Sequence, residues 1–263
     1  MFRNRVDAGR RLGAELERRH LEGDDAVVLG LPSGGVPVAF EVAQTLGGPL
    51  DIVMVRKLGV PFGSELAMGA IGEAGVRILN REVPQVARVT EGEFEAVERR
   101  ERSELERRSR LYRGGRPPVV LSGRTAVVVD DGIATGSTAR AACLVARTLG
   151  ATRVMVAVPV ASRSSLTDLA DVCDQVVCLE APEPFYAVGE WYRDFSPTSD
   201  EEVVALLERA ARGVPTPSAT ATSGDDPPVR DEDAEVRVGR VGLAGHLTVP
   251  EALGGCRVRP RQR

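Results

Sequence analysis

The sequence predicts an α/β fold, a doubly wound and mainly parallel sheet with helices on both faces. Three observations predict it. Short Val-rich runs are apolar at almost every position, as strands covered on both faces are. Helical patterns separate several of these runs. Strand, helix, strand in alternation favours parallel order.

The elements follow in chain order. "MFRNRVDAGRRLGAELERRH" spaces Phe2, Val6, Gly9, Gly13 and Leu16 at helical intervals, so an amphipathic helix is expected. Asp7, Glu15 and Glu17 argue against a transit peptide, and no apolar core of signal-peptide type is present there. "AVVLGL" from Ala26 is the first strand and "VPVAFEVAQTL" its helix; "DIVMV" from Asp51 is the second strand. Residues 91 to 113, "EGEFEAVERRERSELERRSRLYR", read as an exposed helix inserted before the third strand. Glu95/Arg99, Glu98/Arg102, Glu104/Arg108 and Glu106/Arg110 are i,i+4 pairs in the favourable order, and Phe94, Val97 and Leu105 form a thin apolar stripe. "TAVVVD" from Thr125 is the third strand, followed by the helix "STARAACLVARTLG". "RVMVAVP" from Arg153 and "QVVCL" from Gln175 complete five.

Beyond this domain, residues 1–212, the composition changes. "GVPTPSATATSGDDPPVRDEDAE", 213–235, has almost no large apolar residue and reads as a disordered linker. The tail, 236–263, is too short to bury a core of its own.

Composition excludes several classes. Of 263 residues 43% are hydrophobic but only 4% aromatic, so aliphatic packing must build the core. A net charge of −4 gives no global basic excess for nucleic acid or an anionic membrane. No run approaches the ~18 apolar residues of a membrane span, and the chain is expected to be soluble and cytoplasmic. Of Cys143, Cys173, Cys178 and Cys256, the pair Cys173 and Cys178 lacks zinc-clip spacing, and His20 and His246 are remote from that pair in sequence, so reduced thiols are expected rather than a metal cluster.

The chemistry gathers at strand ends, where open α/β sheets bind ligands. "VVVDDGIATGST", Val127 to Thr138, joins an apolar strand to paired acids and then to a small-residue loop opening a helix. Ala134, Thr135, Gly136, Ser137 and Thr138 offer close backbone N–H groups and hydroxyls to an anion, helped by the helix N-terminus. Asp130 and Asp131 would repel that anion. Separately, these features are a helix cap and a solvated strand end; their combination is far rarer. Neither the G-x-x-x-x-G-K-[ST] loop nor G-x-G-x-x-G is present, so a nucleotide kinase lacks its motif.

The stretch resembles the phosphoribosyl-diphosphate motif of type I phosphoribosyltransferases. The resemblance implies that Asp130 and Asp131 accept hydrogen bonds from ribose hydroxyls while the loop Ala134–Thr138 holds the 5-phosphate. "LGLPSGGVPVA", Leu29 to Ala39, resembles the family's pyrophosphate loop, implying roles for Ser33, Gly34 and Gly35 and a cis Pro32–Ser33 peptide; the bland alternative is a strand-to-helix turn. "VRKLG", Val55 to Gly59, would end the second strand and turn Arg56 and Lys57 toward the anionic groups. Ser64 to Asn80 resembles a flap of a bacterial branch of the family, and Tyr186 to Val203 its C-terminal region. There Trp191, Tyr192 and Phe195 either stack a base or pack a terminal segment. That branch usually has a basic residue where this chain has Ser33. One charged contact, worth about 1.5–3 kcal/mol, is then missing from the loop. "GLAGHLTVPE", Gly242 to Glu251, resembles the opening hairpin of a dienelactone-hydrolase-like domain, and without a G-x-S-x-G elbow no hydrolase activity is expected there.

The resemblance implies an enzyme of nucleotide metabolism. It would transfer 5-phosphoribosyl from phosphoribosyl diphosphate to a purine- or pyrimidine-type base, with diphosphate as leaving group. Mg²⁺ would be the cofactor, held mainly by substrate and water, and the exposed helix could serve a homodimer. A non-catalytic module that senses the sugar diphosphate or a nucleotide is the alternative.

Overall fold

The structure, a computed structural model, describes residues 1–19, 25–80, 82–213, 229–238 and 241–250. In chain order the elements begin α1 (Arg5–Arg18), β1 (Ala26–Gly30), α2 (Gly35–Leu46), β2 (Leu50–Ile52), β3 (Val55–Val60), β4 (Gly63–Gly72) and β5 (Arg77–Leu79). They continue α3 (Glu82–Val86), α4 (Glu91–Arg113), β6 (Thr125–Val129), α5 (Ser137–Thr148), β7 (Arg153–Val160), α6 (Arg163–Leu169) and β8 (Gln175–Glu180). After α7 (Asp200–Gly213) come β9 (Val229–Val238) and β10 (Val241–Pro250).

Five strands form an all-parallel sheet in the order β2-β1-β6-β7-β8. The expected α/β class, with a mainly parallel sheet and helices on both faces, is the one observed. Alternation along each strand divides the core in two. Val28, Ile52, Val127, Val129 and Met155 face α1, α2, α4 and α7. Val27, Leu29, Val128, Val154 and Val156 face α5 and α6. β1 and β6 are interior strands, which is why Ala26–Gly30 and Ala126–Val129 carry no polar side chain. Their C-terminal ends, Gly30 and Val129, are register partners, so the two loops that follow them emerge side by side.

α1 begins at an Asn4 cap whose side chain accepts from Asp7 N–H. It packs closely on α2: a methyl group on Gly9 would come within 2.7 Å of Val38 O, and one on Gly13 within 2.6 Å of Thr45 Oγ1. This apposition explains two glycines on the apolar stripe despite their cost in a helix.

Two expectations change. "VRKLG" does not end the second strand. β2 stops at Ile52, and Val55 starts β3 of a separate antiparallel sheet in the order β3-β4-β5. The cause is pairing: Arg56 lies opposite Ile71 and Lys57 opposite Ala70, so the flap-like segment supplies the partner strand. The charged helix spans 91–113 as expected, and all four i,i+4 pairs form, but it is not simply solvated. Glu101, Tyr112 and Arg113 are buried. Burial, helped by the hydrogen bond that Tyr112 donates to Asp200 at 2.6 Å, pushes the Tyr112 pKa up to about 12. Arg113 enters an ion cluster with Asp51 and Glu73.

β9 and β10 pair antiparallel, Val241 opposite Val238. Of the expected linker, 214–228 lies outside the described residues and 229–235 lies in β9. His20, Cys256 and residues 251–263 are also outside them. Among the described residues no helix is long and apolar enough to cross a membrane. Cys143, Cys173 and Cys178 are free thiols.

Candidate active site

The two loops after β1 and β6 enclose the site. The first, Leu31 to Gly34, leads into α2. The Pro32–Ser33 peptide is cis, at the position the resemblance named. Gly34 caps α2 without a side-chain hydrogen bond, and Leu31 N–H donates to Val129 O at 2.9 Å, tying this loop to the acidic strand end. A methyl group on Gly34 would collide with Asp131 Oδ2, and one on Gly35 would come within 3.0 Å of Asp130 Oδ1. The paired acids therefore lie directly against the glycines of the neighbouring loop. Only residues without side chains permit that approach.

The second loop, Ala134 to Thr138, opens α5. Gly136 caps the helix at φ 73°, a left-handed conformation suited to glycine, and again no side chain occupies the first amides. Uncapped donors at a helix start suit an anion. Thr135, Ser137 and Thr138 are exposed around them. The loop is held from behind: Ser162 Oγ and Ser165 Oγ both donate to Ala134 O, at 2.8 and 2.6 Å. Ile133 N–H donates to Val160 O at 2.9 Å. These anchors come from the end of β7 and the start of α6.

The carboxylates are electrostatically loaded. Burial, then the neighbouring Asp131 charge, pushes the Asp130 pKa well above its ordinary value. Burial raises Asp131 as well, opposed by Arg5. Arg5 Nε donates to Asp131 Oδ2 at 2.8 Å. Arg5 also lies 4.1 Å over the Phe195 ring and donates from Nη1 to Ser196 O at 2.7 Å. Tyr192 donates from its hydroxyl to Asp131 O at 2.5 Å.

A zipper between the two ends of the domain supplies these groups. Phe2 N–H donates to Trp191 O at 2.7 Å and Arg193 N–H to Phe2 O at 2.9 Å. The Tyr192 ring packs between Phe2 and Phe195, at 5.4 and 5.0 Å between centroids. Of the two alternatives for the aromatics, Tyr192 and Phe195 take the packing one.

The basic pair divides. Arg56 turns to α4, where Nη2 and Nε meet Glu101 Oε2 at 2.6 and 2.9 Å. It is not brought to the acids or the phosphate-like loop. Lys57 points the other way and lines a cavity of about 480 Å³ together with Val55, Ile78, Leu144 and the loop residues Thr135 to Thr138. The structure thus brings together Asp130, Asp131, Ser33, Gly34, Gly35 and Ala134–Thr138, with Lys57 sharing a cavity with Thr135–Thr138. Reasoning from sequence missed Arg5, Ser162 and Ser165, and named Tyr192 without its hydrogen bond to Asp131 O. Arg5 lies 126 positions from Asp131, and no local pattern announces such a contact.

The donor set is compatible with Mg²⁺ of a particular kind. Among the described residues no group of three His, Cys, Asp or Glu side chains could cage an ion. Asp130 and Asp131 offer hard oxygen ligands, and Asp131 is already paired. Such a site fits a Mg²⁺ that arrives with substrate oxygens and retains water.

Residues 2–191 match the family described as Phosphoribosyl transferase domain. Two proteins of Mycobacterium tuberculosis, from strains CDC 1551 and H37Rv, are each 53% identical over 255 residues, 97% of this chain. Both are named "Putative phosphoribosyl transferase", and the chain spans 57% of the length of each. The crystal structure of TT1426 from Thermus thermophilus is similar with a TM-score of 0.71 and 44% identity, covering 80% of this chain and 98% of that one.

Proposed function

Because the chain belongs to the phosphoribosyl transferase domain family, we propose that it transfers a 5-phosphoribosyl group from phosphoribosyl diphosphate to a nitrogenous base, releasing diphosphate. One observation carries this reading. Two acids are set between two glycine-bearing loops, each leading into a helix without a side-chain cap. Carboxylates alone would suit sugar hydroxyls, and the uncapped amides that open α5 alone would suit phosphate. Side by side they suit a phosphorylated sugar.

Asp130 and Asp131 accept hydrogen bonds from the ribose hydroxyls. The Ala134–Thr138 loop takes the 5-phosphate, its carbonyl at Ala134 fixed by Ser162 and Ser165. The Ser33–Gly35 loop takes the diphosphate. Mg²⁺ bound beside Asp130 and Asp131 would supply charge neutralisation to the departing diphosphate. The transition state gains positive character at the anomeric carbon, as in other glycosyl transfers. This chain's contribution is to position the sugar and fix donors where the leaving group develops charge.

Diphosphate release measured over a panel of purine and pyrimidine bases, with phosphoribosyl diphosphate and Mg²⁺, tests the reading. Turnover with a base is the expected result. Tight sugar-diphosphate binding without turnover of any base assigns the site to sensing instead. The absence of any binding overturns both.

A further inference from the structure

We propose that Arg5 is the side-chain cation for the diphosphate group, delivered to its loop from the N-terminal helix. The inference rests on the phosphoribosyl-diphosphate reading above and adds a residue to it.

The need is visible in the loop itself. Leu31, Pro32, Ser33, Gly34 and Gly35 include no charged side chain. Two amides near the loop are already spent, Gly35 N–H on Leu31 O and Val36 N–H on Ser33 O. The acids at its back, Asp130 and Asp131, would repel a diphosphate. A polyanion placed there meets negative charge unless a cation stands at the junction.

Arg5 stands at that junction. Its Nε is 2.8 Å from Asp131 Oδ2 and would lie 3.2 Å from a methyl group on Gly34. The guanidinium therefore bonds the acid and lies beside the space that a side chain on Gly34 would fill. Its side chain is only 12% exposed, so its charge is little screened by water. The Phe195 ring and Ser196 O fix its plane from the far side. Nε and Nη1 are engaged, whereas Nη2 has no hydrogen-bond partner among the described residues. A fork with one arm on a carboxylate and one arm unspent can bridge that carboxylate to an anion. Lysine, a point charge on a flexible stem, cannot hold both at once.

A purely structural arginine would brace Asp131 and the Phe195 segment and contact no ligand. Calorimetric titration of the full chain with two probes separates the cases: inorganic diphosphate, and ribose 5-phosphate, which lacks that group. Arg5→Gln should weaken diphosphate binding about 10- to 100-fold, the loss of a hydrogen bond to a charged group. Ribose 5-phosphate should change less than about threefold, within ~0.7 kcal/mol. Adding Ser33→Arg to Arg5→Gln should restore part of the diphosphate affinity. Equal losses for both probes, or unchanged diphosphate affinity, overturns the proposal. If Arg5→Gln does not fold, Arg5→Lys is read on the same probes, and undiminished diphosphate affinity overturns it. A wild-type chain that binds neither probe defeats the underlying reading, and this inference with it.

Discussion

Arg5 and Arg113 are both largely withdrawn from water, with side chains 12% and 7% exposed, and both grip an aspartate. Their surroundings differ. Arg113 ends α4 and uses every nitrogen. Nε bonds both oxygens of Asp51 at 2.9 and 3.2 Å, Nη1 reaches Glu73 and Ser109, and Nη2 reaches Glu73 and Ile52 O at 2.9 Å each. Asp51 is closed further by Val119 N–H at 2.9 Å. Burial opposes the Arg113 charge but is outweighed by Glu73 and Asp51, so its pKa is raised. The cluster ties α4, β2 and the turn after β4 together. Arg5 instead ends at an acid beside two open loops, with one nitrogen unspent among the described residues. A fully satisfied buried ion holds a fold. A partly satisfied one at a strand end is available for a ligand.

The largest expected effect breaks the first of these. Arg113→Met leaves Asp51 buried and Glu73 half-buried without their cation, which costs about 3–5 kcal/mol. Urea unfolding should show stability falling by that amount, with base specificity unaltered in whatever fraction remains folded. Arg5→Gln should cost less, about 1–3 kcal/mol, because it leaves one carboxylate without its partner where Arg113 serves two. A stability loss at Arg5 as large as at Arg113 would erase the distinction drawn between them.

The same contrast explains what the sequence made legible. The five parallel strands and the span of α4 were readable because period and caps are local properties. Thr90 and Glu93, for instance, form a reciprocal capping box at the start of α4. The paired acids and the Ala134–Thr138 loop were readable because strand, acids and helix start are contiguous. Arg56 was misplaced because its partner, Glu101, lies on a helix 45 residues away. Arg113 looked like one more charge on a solvated helix, since Asp51 and Glu73 are distant in sequence. Tyr192 read equally well as a base platform or a packing residue until Phe2 was found against it. Long-range pairing of charges and rings leaves no periodic trace.

Next in size is a trade between stability and binding at Asp130. Its folded pKa is raised above an ordinary value near 3.8, so the folded state keeps a proton that the unfolded chain loses. Stability therefore falls as pH rises from the unfolded value through the folded one, and the penalty is constant above that. Asp130→Asn removes the penalty. Its melting temperature should exceed that of wild type at neutral pH, by ~2–4 °C per kcal/mol released, and the gap should close below pH ~4. Its affinity for phosphoribosyl diphosphate should fall, and Asp130→Asn with Asp131→Asn should fall further while remaining folded. A melting temperature below wild type at pH 7 would show that the carboxylate is compensated as Arg113 is.

The smallest effect sits on α4 itself and calibrates the rest. Glu95 pairs with Arg99 at 3.2 Å, with side chains 55% and 70% exposed. Such an i,i+4 pair contributes about 0.3–0.5 kcal/mol and is screened by salt. Glu95→Gln should therefore lower the stability read from urea unfolding within that range at low ionic strength and not measurably at about 1 M salt. Glu101 lies on the same helix, further along, and is buried against Arg56 at 2.6 Å. Glu101→Gln should cost more than Glu95→Gln and keep most of its effect in salt. Equal costs at the two positions would mean that burial does not distinguish the ion pairs of this helix.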